Sequence, residues 1–359
     1  MNYKFLIYIS YSYAIPIGKP LEQEILKRGY TVKWFSDLES GKKALANNEH
    51  LLATIEEAVA FEPHIVLAAT DDIPDFISGL KVQIFHGFFA QKRPEENNRF
   101  AHFRIRGFFD LYCTQGPSTT SVFKKLAVSK GFFKVEQTGW SKMDPLFPLK
   151  EKARQNLPTV MIASTFTQRL SLAYHTAVFK EIERLSNSDT YQFIMVLHPK
   201  LPDEIIAKWK SLENQNFKFY DTTDLIPLFQ KADFLFADTT SAIQEFLLQK
   251  KPVVTFRHTL EHDYLIQVED TQHIEKAFEQ ALQPSEALLS KIEAFIAQLH
   301  PYEDGKSSTR VINATIDFLH ADKTNLKNKP LNLIRKYKIR KRLDYFTLKS
   351  YSKAYTIKK

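Results

Sequence analysis

Phe236–Val254 reads FADTTSAIQEFLLQKKPVV. An apolar run ends in Asp238, three hydroxyl residues follow (Thr239, Thr240 and Ser241), and a helical pattern begins at once. Such a junction has two readings. Asp, Thr and Ser cap helices by accepting hydrogen bonds from the orphan N–H groups of the first turn. The same N–H groups lie at the positive end of the helix dipole and can hold a phosphate. Glu245 sits one turn past Ser241, on the same side of the helix. A carboxylate there can accept both hydroxyls of a ribose while the helix start holds a diphosphate. The plainer account of Glu245 is a solvated helix face.

On both sides of this junction short apolar runs alternate with amphipathic stretches. Strands are predicted at 4–10, 31–35, 64–70, 82–87 and 111–116, then at 159–164, 192–199, 217–221, 233–238 and 252–256. Helical patterns intervene at 21–29, 49–61, 172–185 and 203–212. This alternation predicts an α/β protein with parallel sheets. Residues 143–159, MDPLFPLKEKARQNLPT, separate the two series with three prolines and several charges. The expected organisation is a first domain over 1–145, a linker over 146–158, a second domain over 159–320 and a basic aromatic tail over 321–359. Two doubly wound, Rossmann-like domains joined in this way are expected to face a central cleft. Ligands of such sheets bind at the carboxyl ends of the strands.

Bulk composition narrows the class. The 359 residues are 44% hydrophobic and 25% charged, ordinary for a globular protein. Cys113 is the sole cysteine, which excludes an internal disulfide and fits a reducing cytoplasm. The start, MNYKFLIYISYSY, is too short and polar-interrupted for a membrane span and lacks the signature of a signal peptide, so a buried first strand is expected. The net charge of +8 is local: residues 322–359 carry 13 Lys/Arg against 2 Asp/Glu, and the rest of the chain sums to −3. The tail interleaves these bases with Leu, Ile, Tyr and Phe. That pattern suits an amphipathic segment on anionic lipid. RNA binding or a solvated tail are the other readings, and with a near-neutral body the membrane surface is preferred to nucleic acid.

The candidate chemistry falls at strand ends. His86 closes VQIFHG, with Lys92 and Arg93 following as phosphate or acceptor contacts. An imidazole can take a proton from a hydroxyl near neutral pH. His198 closes QFIMVLHP and is followed by Pro199 and Lys200, a set suited to an anionic ligand. In YEDGKSSTRV (302–311), Lys306 and Arg310 flank another hydroxyl-rich helix start, either a second anion contact or a well-capped helix. No glycine-rich phosphate loop, hydrolase elbow or metal-ligand set is present, so neither a metal nor a cofactor is expected.

On these residues the chain resembles the CDP-glycerol glycerophosphotransferases, GT-B-fold enzymes of teichoic-acid-type polymer synthesis. Asp238, Ser241, Glu245, Lys251 and Pro252 fit that family's nucleotide-binding pattern. His198-Pro199 and His86-Gly87 match its strand-end histidines, and Asp304, Gly305, Lys306, Ser308 and Arg310 its Asp-Gly-Lys element. The resemblance implies a GT-B-like fold and a peripheral enzyme at the inner face of the membrane. It would move glycerol phosphate from CDP-glycerol, or a related donor, to a hydroxyl of a glycan or lipid-linked acceptor. His86 would act as base, and His198 with Lys200 would offset charge on the phosphate. Asp238, Thr239, Thr240 and Ser241 would hold the diphosphate, and Glu245 the ribose. The same stretch is also similar to UDP-N-acetylglucosamine 2-epimerases, whose Asp-Ser-Gly-Gly-Ile-Gln-Glu is close to SAIQE here. The epimerases' first-domain acid and His-x-Glu-Ala-Gly are not evident, so an epimerase or a sugar-nucleotide transferase of the same fold stands as the alternative.

Overall fold

The computed structural model describes residues 1–88, 103–150 and 156–357, which form two compact units. Met1–Gly87, Phe100–Pro148 and Leu299–Lys359 make up the first. Its elements are β1 (Lys4–Ile9), α1 (Ile15–Lys27), β2 (Thr31–Ser36), α2 (Glu39–Ala44), α3 (Ile55–Ala60), β3 (Ile65–Ala68), β4 (Leu80–Gln83), β5 (Leu111–Thr114), α4 (Pro117–Lys130) and β6 (Lys134–Gln137). The strands pair in parallel in the order β2-β1-β3-β4-β5-β6. Consecutive residues of β3, β4 and β5 are buried, as in a sheet covered on both faces.

Leu149–Gln298 build most of the second unit. Here the order is β7 (Thr159–Ser164), α5 (Thr176–Ser186), β8 (Gln192–Leu197), α6 (Asp203–Lys210), β9 (Phe217–Phe219), α7 (Ile226–Lys231), β10 (Phe234–Ala237), α8 (Ala242–Leu247), β11 (Val253–Phe256), β12 (Ile266–Val268), α9 (Ile274–Leu282) and α10 (Glu286–Leu299). The chain then returns to the first unit as α11 (Ser307–His320) and α12 (Leu333–Leu343). The second sheet is also all parallel, in the order β12-β11-β10-β7-β8-β9. Its strand order reverses between β7 and β10. Phe278 of α9 packs its ring 5.0–6.5 Å from those of Tyr191, Phe193, Phe234 and Phe236, pinning β8 and β10 together. Truncating such a side chain to alanine costs about 3–5 kcal/mol.

Several elements differ from expectation. The strand predicted at 82–87 ends at Gln83, so His86 lies in the following loop. The helix predicted at 49–61 begins only at Ile55, where Thr54 and Glu57 form a reciprocal capping box. Ahead of it, Leu51 bridges Trp34 in extended form. β6 and β12 escape the apolar-run criterion because they are short and only alternately buried. The tail expected over 321–359 is folded along its described length and packs on the first unit. Lys329 pairs with buried Asp110 at 2.6 Å, Arg340 with buried Asp75 at 2.7 Å, and Arg342 with Asp37 and Asp72 at 2.8 Å each.

Candidate functional site

The second sheet reverses its order between β7 and β10, the place where doubly wound sheets bind ligands. Asp238 leaves β10 there and is fully buried. Its Oδ2 accepts from the Ser164 hydroxyl at 2.5 Å and from the Leu172 N–H at 3.0 Å, and its Oδ1 from the Thr165 N–H at 3.0 Å. This carboxylate therefore ties the ends of β10 and β7 together and shapes the 165–172 loop. Burial pushes its pKa up to about 6, against the opposing pull of these donors.

That loop carries Phe166, whose ring centroid lies 4.6 Å from that of His198. Lys200 Nζ lies 5.3 Å from the same ring. His198 Nδ1 accepts the Lys200 N–H at 3.1 Å, which makes Nε2 the protonated nitrogen of the neutral ring. Phe166 is 42% exposed, so a flat aromatic face, an imidazole donor and an ammonium share the carboxyl edge beside β7. Phe166 was not among the sequence candidates; its signal is an aromatic just past the buried run TVMIAS.

The Asp-Thr-Thr-Ser junction divides its labour. Thr240 Oγ1 accepts the Ala242 N–H at 3.4 Å, Ser241 makes no cap through its side chain, and Thr239 is buried. α8 is buried along its whole length, including Glu245 at 4% exposure, so the solvated-face account of Glu245 does not hold. Where the chain enters β12, Glu261, His262, Asp263, Leu265 and Gln267 line a concavity of about 610 Å³. His258 and His262 stand 5.3 Å apart, and burial lowers the pKa of both. Among the described residues no cluster of His, Cys, Asp and Glu has the makings of a metal site.

In the first unit, Tyr11 and Tyr13 follow β1, Asp71 follows β3 and His86 follows β4, at neighbouring strand ends. His86 Nδ1 is 3.9 Å from Asp71 Oδ1, and Arg106 holds Asp71 Oδ2 at 2.5 Å. Phe85, in the left-handed region at φ 57°, turns the chain into His86. The Gln115 amide fixes the next residue by donating to the Gly87 carbonyl at 2.8 Å. Tyr13 lies 6.4 Å from His86, and burial, reinforced by Tyr11 and Asp71, pushes its hydroxyl up to about 12. Asp71 was not among the sequence candidates; only folding sets it against His86.

The remaining candidates are placed as follows. Arg310 is engaged within the first unit: it pairs with Asp304, donates to the Thr138 carbonyl at 2.8 Å and stacks 3.8 Å from the Tyr302 ring. Lys306 is exposed just before α11, whose first N–H groups, those of Ser307 and Ser308, go to Asp144 at 2.7 Å. Gly305 is required here, because its φ is 65° and a Cβ would meet the Phe147 and Asp144 carbonyls. Lys92 and Arg93 lie outside the described residues.

The family model described as UDP-N-acetylglucosamine 2-epimerase matches residues 134–316. The chain belongs to the UDP-N-acetylglucosamine 2-epimerase family. The matched region holds the whole second sheet with Phe166, His198, Lys200 and Asp238–Glu245, whereas Asp71 and His86 precede it. Among solved structures, the chain is similar to the UDP-GlcNAc 2-epimerase of Neisseria meningitidis bound to UDP-GlcNAc. That match has 14% identity and a TM-score of 0.59, and covers 88% of this chain and 100% of that one. S. aureus MnaA with UDP matches at 15% identity and TM-score 0.57, over 89% and 97% of the two chains. The wall teichoic acid polymerase TagF matches at 13% identity and TM-score 0.60, over 88% of each. At such identities the likeness shows the fold alone: two parallel-sheet α/β domains of GT-B type. No curated protein sequence matches the chain.

Membership in the epimerase family overturns the CDP-glycerol glycerophosphotransferase reading, and with it the glycerol-phosphate donor and the transfer to a polyol acceptor. The cause is physical. A hydroxyl-rich helix start is a capping signal and an anion-binding signal alike, and doubly wound sheets in general meet ligands at strand ends, so such residues do not separate families that share the fold. Among the described residues, no helix is long and apolar enough to cross a membrane.

Proposed function

We propose that this protein is an epimerase of the UDP-N-acetylglucosamine 2-epimerase type, acting on a nucleotide-diphosphate sugar. The family match over 134–316, which takes in the whole carboxyl edge around β7, carries the reading. Phe166 supplies a face for stacking and Lys200 a positive charge, and His198 offers its Nε2–H to a phosphate oxygen. Thr240 and Ser241 line the diphosphate and Glu245 accepts the ribose hydroxyls; Asp238 positions the loop that carries Phe166. Inverting C2 of a hexosamine removes a proton from one face and returns one to the other. His86, next to Asp71, is the candidate for one of these transfers. The chain also works at an anionic membrane surface, held there by residues 322–357.

The test is to incubate the purified protein with UDP-N-acetylglucosamine in deuterium oxide and follow C2 by NMR. Formation of the C2 epimer with deuterium at that carbon is expected. Tight UDP binding with no exchange at C2 would reduce the protein to a nucleotide-sugar binder.

A further inference from the structure

α12 is amphipathic in the opposite sense from a helix packed on a water-soluble body. The side turned to the first unit carries Lys336, Arg340 and Arg342, which reach Asp75, Asp37 and Asp72 at 2.7–3.3 Å. Ile339 is its single buried apolar residue. The outward arc carries Leu333, Ile334 and Tyr337, and the chain returning after the helix adds Phe346 and Leu348. These five are between 58% and 103% exposed. The returning segment is fixed against the helix, because Arg340 donates to the Thr347 carbonyl at 3.0 Å and the Phe346 ring lies 6.4 Å from Tyr337. The returning segment thus sets Phe346 beside Tyr337 and gathers exposed apolar groups on one side of α12. Single exposed hydrophobic residues are ordinary, but contiguous patches mark interaction surfaces.

We infer that this outward face of α12, with Phe346 and Leu348, inserts into the interfacial layer of an anionic bilayer. The inference rests on the membrane reading above and names the surface that carries it. Charge selects the occupant. Lys338 and Lys341 are exposed on the same outward arc as Ile334 and Tyr337, Lys349 is exposed beside Leu348, and Asp344 is the sole acid in 331–359. Lysine is depleted from the cores of protein interfaces. It is at home at a lipid surface, where its stem lies along apolar groups and its ammonium reaches the headgroups. Tyr337 suits the same boundary, with an apolar ring and a polar tip. The inward bases are already neutralised by aspartates, so the helix meets the membrane folded and already turned outward.

The test is co-sedimentation of the full chain with phosphatidylcholine vesicles, and with vesicles carrying about 30% phosphatidylglycerol as the anionic lipid. The wild type is compared with Leu333→Ser/Ile334→Ser/Tyr337→Ser and with Lys338→Glu/Lys341→Glu. Exposed positions should leave the melting temperature of both variants near that of the wild type. Wild-type binding should favour the anionic vesicles; the serine variant should bind them at least about tenfold more weakly, and the glutamate variant should lose the preference. If the wild type binds but the serine variant binds equally well, the membrane reading stands and the assignment of this face falls. If the wild type binds neither vesicle, both fall. A dimer seen by light scattering that the serine variant abolishes would make this face a contact between copies of the chain and overturn the inference.

Discussion

The Asp238 carboxylate accepts the Ser164 hydroxyl at 2.5 Å across the switch point of the second sheet, joining the ends of β10 and β7. Residues 74 apart in sequence thereby set the loop that presents Phe166 beside His198. Burial has a thermodynamic signature. With a folded-state pKa near 6 and an unfolded value near 3.9, Asp238 binds more protons folded than unfolded in that interval. Its contribution to stability therefore falls as pH rises from about 4 to about 6, by roughly 2–3 kcal/mol. Denaturant unfolding of wild type and Asp238→Asn at several pH values should show this slope in their difference. The variant should also be less stable at pH 7 by about 1–3 kcal/mol, since one amide cannot accept from all three donors. A difference independent of pH would refute the buried-carboxylate account.

His300 should act in the opposite direction. It accepts the Trp140 N–H through Nε2 at 3.0 Å, and burial lowers its pKa to about 4. The unfolded histidine, near 6.5, takes up a proton that the folded one refuses. Its stabilising contribution is complete above about 6.5 and is lost as pH falls toward 4. Nitrogen NMR at pH 5.5 should show a neutral His300 ring, and a protonated ring at that pH would contradict the structure.

Asp75 should control the docking of the C-terminal segment. Its carboxylate meets Arg340 at 2.7 Å, Lys336 at 3.3 Å and Ser350 at 2.5 Å, and these partners hold its pKa below the usual range against the cost of burial. Asp75→Ala leaves two half-buried cations without their shared partner, at a cost of about 3–5 kcal/mol. Limited proteolysis should then cut within 322–357 well before the rest of the chain. Unchanged protection would mean that the ion cluster does not hold the segment.

Two substitutions separate binding from chemistry in the proposed epimerase. Phe166→Ala should weaken UDP binding by about 1–3 kcal/mol in calorimetry, if the ring stacks on the base. His86→Ala should leave UDP binding intact and slow C2 inversion by about 10²–10⁴-fold, the usual worth of a positioned proton-transfer group. Equal losses of binding in both variants would remove His86 from the chemical step.

The alternation of apolar runs and amphipathic stretches determined, from sequence alone, two parallel α/β sheets and placed His198 and Asp238 at strand ends. Periodicity is a local property, and so is helix capping, which makes both legible in a single chain. Elements whose burial depends on neighbours distant in sequence were not legible: β6 and β12 are edge strands, and Leu51 leaves the expected helix to pair with Trp34. Sequence alone also left two families open, the glycerophosphotransferases ahead of the epimerases to which the chain belongs, because residues such as His198 and Asp238 answer the needs of the fold more than those of one reaction. Only tertiary structure set Asp71 against His86, Phe166 against His198, and the bases of the tail against Asp37, Asp72, Asp75 and Asp110. A run of lysines and arginines looks alike in sequence whether it faces water, lipid or a buried carboxylate. What decides is which aspartates the rest of the chain has already removed from solvent.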